Sequence, residues 1–158
     1  MGIGFDITET IELYEEIDNT QKDVIFTLGS IGESRSKETG NHVKRVAEYS
    51  YVLAKKLGLS SQECELIRIA SPMHDIGKVG ISDSILLKPG KLTPEEWETM
   101  KTHTTIGSQL LSECTSPILQ IAQVIAVSHH ERWDGQGYPD GLWGETIPLA
   151  SRIIAICD

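Results

Sequence analysis

The sequence has few cysteines, and their spacing does not suit a disulfide framework or a thiolate metal site. Cys64, Cys114 and Cys157 are odd in number, lie far apart and include no CxxC pair. This spacing argues against a small disulfide-bonded scaffold and against a zinc site built from thiolates. Such cysteine usage is typical of a reducing compartment, and we therefore expect a cytoplasmic protein.

Positive charge is also scarce, and long apolar runs are absent. The chain has 14 Lys and Arg against 23 Asp and Glu, which gives a formal net charge of −9. Without an excess of cations to neutralise phosphates, we expect neither duplex nucleic acid nor an anionic membrane as a partner. No apolar run approaches membrane-spanning length. The 158 residues, 39% of them hydrophobic, are enough for one sizeable core and hence a single domain.

Apolar residues recur at helical spacing in nearly every segment, which predicts an all-α fold. The first helix is predicted from about Ile7 to Ile31; its acidic first half is interpreted as a solvated face, with pairing to another chain as the alternative. In the helix that follows Thr93, five residues are expected to face inward: Trp97, Met100, Thr104, Gly107 and Leu111. The later helices are predicted over residues 43–57, 60–75, 93–113, 117–130 and 149–158, with a glycine-rich loop over residues 133–146.

The most informative stretch runs from Ala70 to Val79, where His74, Asp75 and Lys78 share a single turn at the inner end of an apolar helix. Polar groups carried inward by such a helix need partners there. An isolated His-Asp pair would favour the simpler interpretation of a core histidine hydrogen-bonded to its own aspartate. The other histidines decide between the two.

All five histidines lie on or at the ends of predicted helices, beside apolar stripes. On a helix, adjacent residues diverge by about a hundred degrees, so the pairs His74-Asp75 and His129-His130 suit two neighbouring metal ions. Nitrogen and carboxylate ligands without thiolate favour iron or manganese, with zinc or cobalt as alternatives. The whole set favours a metal site over a core histidine: His42, His74, His103, His129 and His130.

Several motifs together resemble an HD-GYP domain, from about Glu33 to the last residue. They are Glu38-x-x-x-His42, His74-Asp75-Ile76-Gly77-Lys78, Lys88-Pro89-Gly90-Lys91-Leu92, His103, His129-His130-Glu131 and Asp134-Gly135-Gln136-Gly137-Tyr138-Pro139. The resemblance implies an HD-type helical bundle over residues 32–158, preceded by an N-terminal connector helix over residues 1–31. It also implies a metal-dependent phosphodiesterase that hydrolyses the bacterial second messenger cyclic di-GMP to the linear dinucleotide pGpG and GMP.

The same resemblance implies a set of site residues and two or three divalent metal ions, with iron or manganese favoured. His74, Asp75 and Lys78 form the catalytic group, and Lys78 contacts the substrate phosphate. Tyr138, Arg45 and Arg132 are candidate substrate contacts, although each arginine suits an ordinary surface position as well. The loop that carries Tyr138 has two further interpretations, a docking surface for a signalling partner or a lid packed on the domain edge. The metal ligands would be Glu38, His42, His74, Asp75, His103, His129, His130 and Asp158.

The chain departs from the family pattern at its end. Family members continue past the position of Asp158 with further helix and basic residues, so we expect a truncated fragment with reduced activity. An upstream receiver or sensor domain is a second expectation, and formation of a homodimer through the first helix is left open. The alternative functions are hydrolysis of another cyclic dinucleotide or phosphate ester, and a catalytically inactive module that binds signalling partners.

Overall fold

The fold of this protein is helical. The structure is a computed structural model that describes residues 7–35 and 40–158. Those residues contain eight α-helices, three short 3-10 segments and one isolated bridge between Asp134 and Trp143, but no strand ladder. The α-helices are α1 (Thr8–Ser34), α2 (Gly40–Lys56), α3 (Ser61–Ala70), α4 (Asp83–Leu86), α5 (Pro94–Lys101), α6 (His103–Leu110), α7 (Pro117–Ser128) and α8 (Leu149–Cys157). The 3-10 segments are Ser71–Met73, Ile76–Gly80 and Gly144–Thr146.

Helix α7 lies at the centre because its apolar residues face several neighbours at once. It packs against α3, α6 and α8, and its Ala122, Ile125 and Ala126 are fully buried. Ile153 and Ile154 of α8 complete the core beside it. Each buried isoleucine contributes roughly 1.5 to 3 kcal/mol relative to an exposed one, so this contact holds α8 in place.

One polar contact and two capping boxes fix helices around the site. The hydroxyl groups of Ser128 and Ser151 lie 2.7 Å apart and join α7 to α8. Ser60 and Glu63 cap α3, and Thr93 and Glu96 cap α5, each pair satisfying two backbone donors of a first turn. Both helix starts were predicted from the sequence and are confirmed.

Two helix predictions were wrong in their boundaries. The helix predicted to end near Ile31 continues to Ser34. Gly29 and Gly32 lie inside it, where they permit close approach to the core. The single helix predicted over residues 93–113 is divided at Thr102 into α5 and α6. As a consequence Trp97, predicted to face inward, is 46% exposed.

The second half of α1 packs on the rest of the protein. A Cβ on Gly29 would overlap the backbone of Pro72, so only glycine permits this contact. Among the residues that the structure describes, no helix is both long and apolar enough to cross a bilayer. The predicted domain division at residue 31 stays a prediction.

Candidate metal centre

A close backbone contact places the His74-Asp75 segment against α6. The helix predicted over residues 60–75 ends at Ala70, because Pro72 lies in the 3-10 segment Ser71–Met73, and a second 3-10 segment follows Asp75 directly. A Cβ on Gly77 would overlap the carbonyl oxygen of His103, so glycine is required there. This contact sets the distance between Asp75 and His103.

Asp75 lies in the middle of the cluster, with imidazole nitrogens close to both of its carboxylate oxygens. Its Oδ1 lies 3.2 Å from His103 Nε2 and 3.6 Å from His129 Nε2. Its Oδ2 lies 3.3 Å from His74 Nε2 and also contacts the ammonium group of Lys78. The Asp75 side chain is only 7% exposed, so this carboxylate is held among charged and polar groups away from bulk water.

A second group of candidate ligands lies where α2 meets the end of α8. Asp158 Oδ1 lies 2.9 Å from His42 Nε2 and 3.3 Å from His74 Nε2. These three residues and the group of Asp75, His103, His129 and His130 each bring their ligand atoms within 4.8 Å of one another. His74 is therefore adjacent to both groups, as the divergence of neighbouring side chains predicts.

Backbone carbonyl groups orient three of the imidazole rings. The Nδ1 atoms of His74, His103 and His129 lie 2.9, 2.8 and 3.0 Å from the carbonyl oxygens of Ser71, Met100 and Ile125. A carbonyl oxygen only accepts hydrogen bonds, so Nδ1 must carry the proton in each ring. The lone pair of each neutral ring then lies on Nε2, which faces the centre of the cluster.

These inward-facing atoms fit a metal ion. Nε2 of His74, His103 and His129 and Oδ1 of Asp75 are buried and make no hydrogen bond with any described residue. The Nε2 lone pair of a neutral ring repels the lone pairs of Asp75 Oδ1 when no donor lies between them, and a cation at that position relieves the cost. Imidazole nitrogen and carboxylate oxygen are ligands suited to divalent transition metals, so the residues present fit such ions.

The electrostatics of the cluster favour positive charge at its centre. Burial opposes a charged ring at His74, but Asp75 and then Asp158 outweigh burial and hold the pKa of His74 well above its usual value. Burial opposes the charge on Asp75 as well, yet the neighbouring His74 holds the pKa of that carboxyl well below its usual range. Burial, followed by His129 and His103, lowers the pKa of His130 to about 3. His130 is thus neutral near pH 7, the form that binds metal.

Glu33 is a site residue that the sequence interpretation missed. Its side chain is 1% exposed, and its Oε1 lies 3.3 Å from Lys78 Nζ. Burial, and next the proximity of Asp75, raise the pKa of Glu33 to about 7. A signal was available in the sequence: Gly29 and Gly32 predict close approach of the helix to a neighbour, and an acidic residue follows at once.

The glycine-rich loop brings Tyr138 to the edge of the cluster. Its ring stacks on His130 with centroids 4.8 Å apart and an interplanar angle of 27°. A Cβ on Gly137 would overlap the backbone of Glu131 and Arg132, so glycine permits the loop to fold back onto the end of α7. Tyr138 therefore lies beside the candidate metal ligand His130.

The remaining predicted residues differ in where they lie. Arg45 is exposed on α2 and makes no ion pair with the described part of the chain. Arg132 is exposed, and its guanidinium is held by Asp134 at 2.8 and 3.1 Å. Glu38 lies outside the described residues, so its predicted role as a ligand stays a prediction.

Comparison with known families identifies this arrangement. A family model described as HD domain matches residues 28–158. The chain belongs to the HD domain family. The resemblance noted from the sequence and the all-α fold are both confirmed. The buried histidines and Asp75 of this HD domain form a cluster suited to divalent metal ions.

The HD domain is also similar to several curated phosphodiesterases. It is 47% identical over 158 residues to the 3'3'-cGAMP-specific phosphodiesterase 2 of Vibrio cholerae. This alignment covers 100% of the chain and 30% of that relative. It is 48% identical over 147 residues to the cyclic di-GMP phosphodiesterase of Thermotoga maritima. That alignment covers 93% of the chain and 40% of the relative. A third is the cyclic di-GMP phosphodiesterase response regulator RpfG of Xanthomonas campestris, 44% identical over 90% of the chain and 38% of the relative. The chain thus spans less than half the length of each.

Proposed function

We propose that this HD domain is a metal-dependent phosphodiesterase that hydrolyses cyclic di-GMP to pGpG and, in a second step, to GMP. The observation that carries the proposal is the convergence of three buried Nε2 atoms on Asp75. It supports hydrolysis because phosphoryl transfer by paired metal ions needs such a ligand set. The identity to relatives named as cyclic di-GMP phosphodiesterases supports the choice of substrate.

Two iron or manganese ions are the proposed cofactors. His42, His74 and Asp158 would hold one ion, and His103, His129 and His130 would hold the other. Asp75 would serve both, because its two oxygens face different partners. A third ion would require Glu38 in addition. When bound, divalent ions of this kind polarise a phosphoryl oxygen and make water acidic enough to act as a nucleophile near neutral pH.

The residues around the ions have separate roles in this proposal. Carbonyl groups of Ser71, Met100 and Ile125 hold the imidazole rings in a fixed orientation, so the ligands need no reorganisation during the reaction. Lys78 places a positive charge beside a non-bridging phosphate oxygen and stabilises the charge that develops there. Glu33 accepts a hydrogen bond from the Lys78 ammonium and holds it in position.

The reaction itself opens the ring of the substrate by adding water to one phosphorus. The water oxygen bonds to phosphorus, the bond from phosphorus to the 3' oxygen breaks, and that oxygen leaves as a hydroxyl after gaining a proton. Tyr138 is the proposed stacking partner for a guanine base. Arg45 and Arg132 are retained as candidate phosphate contacts; for Arg132 this requires release from Asp134.

The remaining partners are proposals of the same kind. A cytoplasmic location would expose the site to a nucleotide second messenger. In a longer parent protein, a receiver or sensor domain before α1 would control access to the site. The exposed surface of the loop around Tyr138 is the proposed contact for a signalling partner.

The test is chromatography of products from cyclic di-GMP after the protein has been stripped with chelator and reloaded with Mn²⁺ or, without oxygen, Fe²⁺. We expect pGpG only from the reloaded protein, and none from Asp75→Asn. Asp23→Asn, an exposed aspartate on α1, is the matched control and should retain wild-type turnover. Reloaded wild-type protein with a full metal complement and no product would contradict the proposal and favour an inactive partner-binding module.

Hydrolysis of 3'3'-cGAMP is the second candidate, because the Vibrio relative with that name aligns with the whole chain. The two dinucleotides share their phosphodiester groups and differ in one base. Turnover of both in the same assay, compared as kcat/KM, separates the candidates. A higher value for 3'3'-cGAMP would replace cyclic di-GMP as the assigned substrate.

A further inference from the structure

The first half of α1 is exposed, and every residue from Ile11 to Gln21 belongs to the exposed class. From Thr8 to Val24 no residue is buried, and the first buried residue of the helix is Ile25. An isolated helix of this length is marginal in water, because nucleation is costly and few tertiary contacts repay it. The protruding half therefore needs a partner that covers one of its faces.

One face of α1 carries a coiled-coil pattern. Apolar residues alternate at spacings of three and four, which is the repeat of the a and d positions in a heptad. Only Gln21 interrupts the apolar series. The exposed fractions of the apolar members lie between 41% and 71%. We name this face the seam; its residues are Tyr14, Ile17, Gln21, Val24, Leu28 and Ile31.

The seam is separate from the face that α1 presents to its own domain. Ile25, Gly29 and Gly32 face the domain, and Ile25 and Gly32 each follow a d residue of the seam by one position. Successive residues on a helix advance by about 100°, so the two faces point in different directions. The seam can thus be covered while the domain contact stays intact.

The seam also continues past the protruding half into a groove beside the domain. Val24 and Leu28 line one wall of this groove, and Ile118 and Leu119 of α7 line the other. Its volume is about 340 Å³. A helix laid along the seam would therefore contact apolar side chains from Tyr14 to Ile31, about 26 Å of α1.

We propose that the seam binds the same seam of a second copy, in a parallel, in-register two-stranded coiled coil. The repeat is self-complementary, so a two-fold axis along the seam places each residue beside its own equivalent. Gln21 occupies an a position, where one buried polar residue sets register and strand number by bonding to its copy. This interface does not depend on the proposed phosphodiesterase activity.

The charges of α1 favour a second copy over a lipid surface. Glu9, Glu12, Glu15 and Glu16 all fall at heptad positions b, c or f, on the outer face of such a dimer. There they remain in water and repel one another only weakly, because salt screens them. The same acidic face would repel anionic lipids, whereas interfacial helices usually carry Lys and Arg there.

Sedimentation equilibrium of the 158-residue protein tests the proposal with a charge placed on the seam. We expect a dimer at about 10 μM. Because a buried charge at a d position has no partner, Ile17→Glu should raise the dimer dissociation constant by at least about 100-fold. Asn19→Glu places the same charge on the outer face of the same turn and should leave that constant within about threefold of wild type.

A cysteine at the same position tests orientation and register. In the parallel arrangement Ile17 lies beside its own copy, within the short Cα separation that a disulfide requires, so the Ile17→Cys variant should cross-link on oxidation. The Asn19→Cys variant should not. Peptide mapping distinguishes this disulfide from any that involves Cys114 or Cys157. A monomer at about 100 μM, a dimer insensitive to Ile17→Glu, or a sensitive dimer in which Ile17→Cys forms no cross-link would each overturn the proposal.

Discussion

Glu33 and Lys78 lie 3.3 Å apart beside the histidine cluster although 45 positions separate them in the chain. Lys78 also contacts Asp75, so its ammonium group lies between the carboxylates of Glu33 and Asp75. Asp75 belongs to the proposed set of metal ligands. A metal ion that engages Asp75 would leave Glu33 as the anion that holds Lys78 in position.

The first prediction concerns this pair. Glu33→Gln keeps the shape of the side chain and removes its charge, so we expect kcat to fall about tenfold, equivalent to about 1.4 kcal/mol of barrier. The pKa of Glu33 is raised to about 7, above its unfolded value of about 4.5. The folded wild-type protein therefore loses stability as pH rises from about 4.5 to 7, because the buried carboxyl group must ionise. The variant should therefore be at least as stable as wild type at pH 8 in urea titrations.

Glu12→Gln is the matched control, since Glu12 is exposed on the same helix. It should leave both turnover and stability unchanged. If Glu33→Gln lowers kcat only together with the free energy of unfolding, the role of Glu33 is purely structural.

The second prediction concerns the close contact that positions Asp75 against α6. Gly77→Ala should lower the free energy of unfolding by about 2 to 3 kcal/mol, because the added Cβ meets backbone that cannot move freely. Gly58→Ala separates steric overlap from backbone strain: Gly58 has φ +85° and open space around it, so about 1 kcal/mol is expected. Similar costs in the two variants, measured by denaturant unfolding, would contradict the account of Gly77.

The third prediction concerns the ring stacked on His130. If Tyr138 stacks on a base, Tyr138→Phe should keep KM near wild type, and Tyr138→Ala should raise KM for cyclic di-GMP about tenfold. Trp143→Ala provides the comparison, because Trp143 is an exposed aromatic residue on the same loop, 67% accessible, and should change KM little. A loss in Tyr138→Phe as large as in Tyr138→Ala would assign the role to the hydroxyl group instead.

The fourth prediction concerns pH. Hydrogen bonds from Arg132 and from the backbone N–H of Gln136 lower the pKa of Asp134 to about 2. Since this lies below the unfolded value of about 3.9, ionised Asp134 stabilises the folded loop above about pH 4, and the contribution is lost as pH falls towards 2. The gap in urea midpoint between wild type and Asp134→Asn should narrow from about pH 5 to pH 3. A constant gap would show that Asp134 does not act through its charge.

Local signals made much of this structure predictable. The capping boxes at Ser60 and Thr93 start helices where expected, because their hydrogen bonds involve residues only three positions apart. The histidines could be grouped from the sequence because each lies beside an apolar stripe that must face the core. The pairing of His42 with Asp158 follows from the packing of α2 against α8.

The features that were missed depend on contacts distant in sequence. The burial of Glu33 is set by where Gly29 and Gly32 meet the Pro72–Ile76 segment. The two glycines indicate a close approach, but the local pattern does not say which segment they approach. The division at Thr102 arises as α6 packs against the Ile76–Gly80 segment, and it leaves Trp97 exposed. Periodicity alone cannot distinguish one long helix from two short ones in that region.

The central claim is that two groups of ligands sharing Asp75 hold divalent ions, and metal content per chain tests it most directly. Plasma mass spectrometry of reloaded protein should find about two ions in wild type and about one in either His42→Ala or His130→Ala. Asp75→Asn should hold fewer ions than either variant, because its carboxylate serves both groups. Wild-type metal content in all three variants would contradict the account.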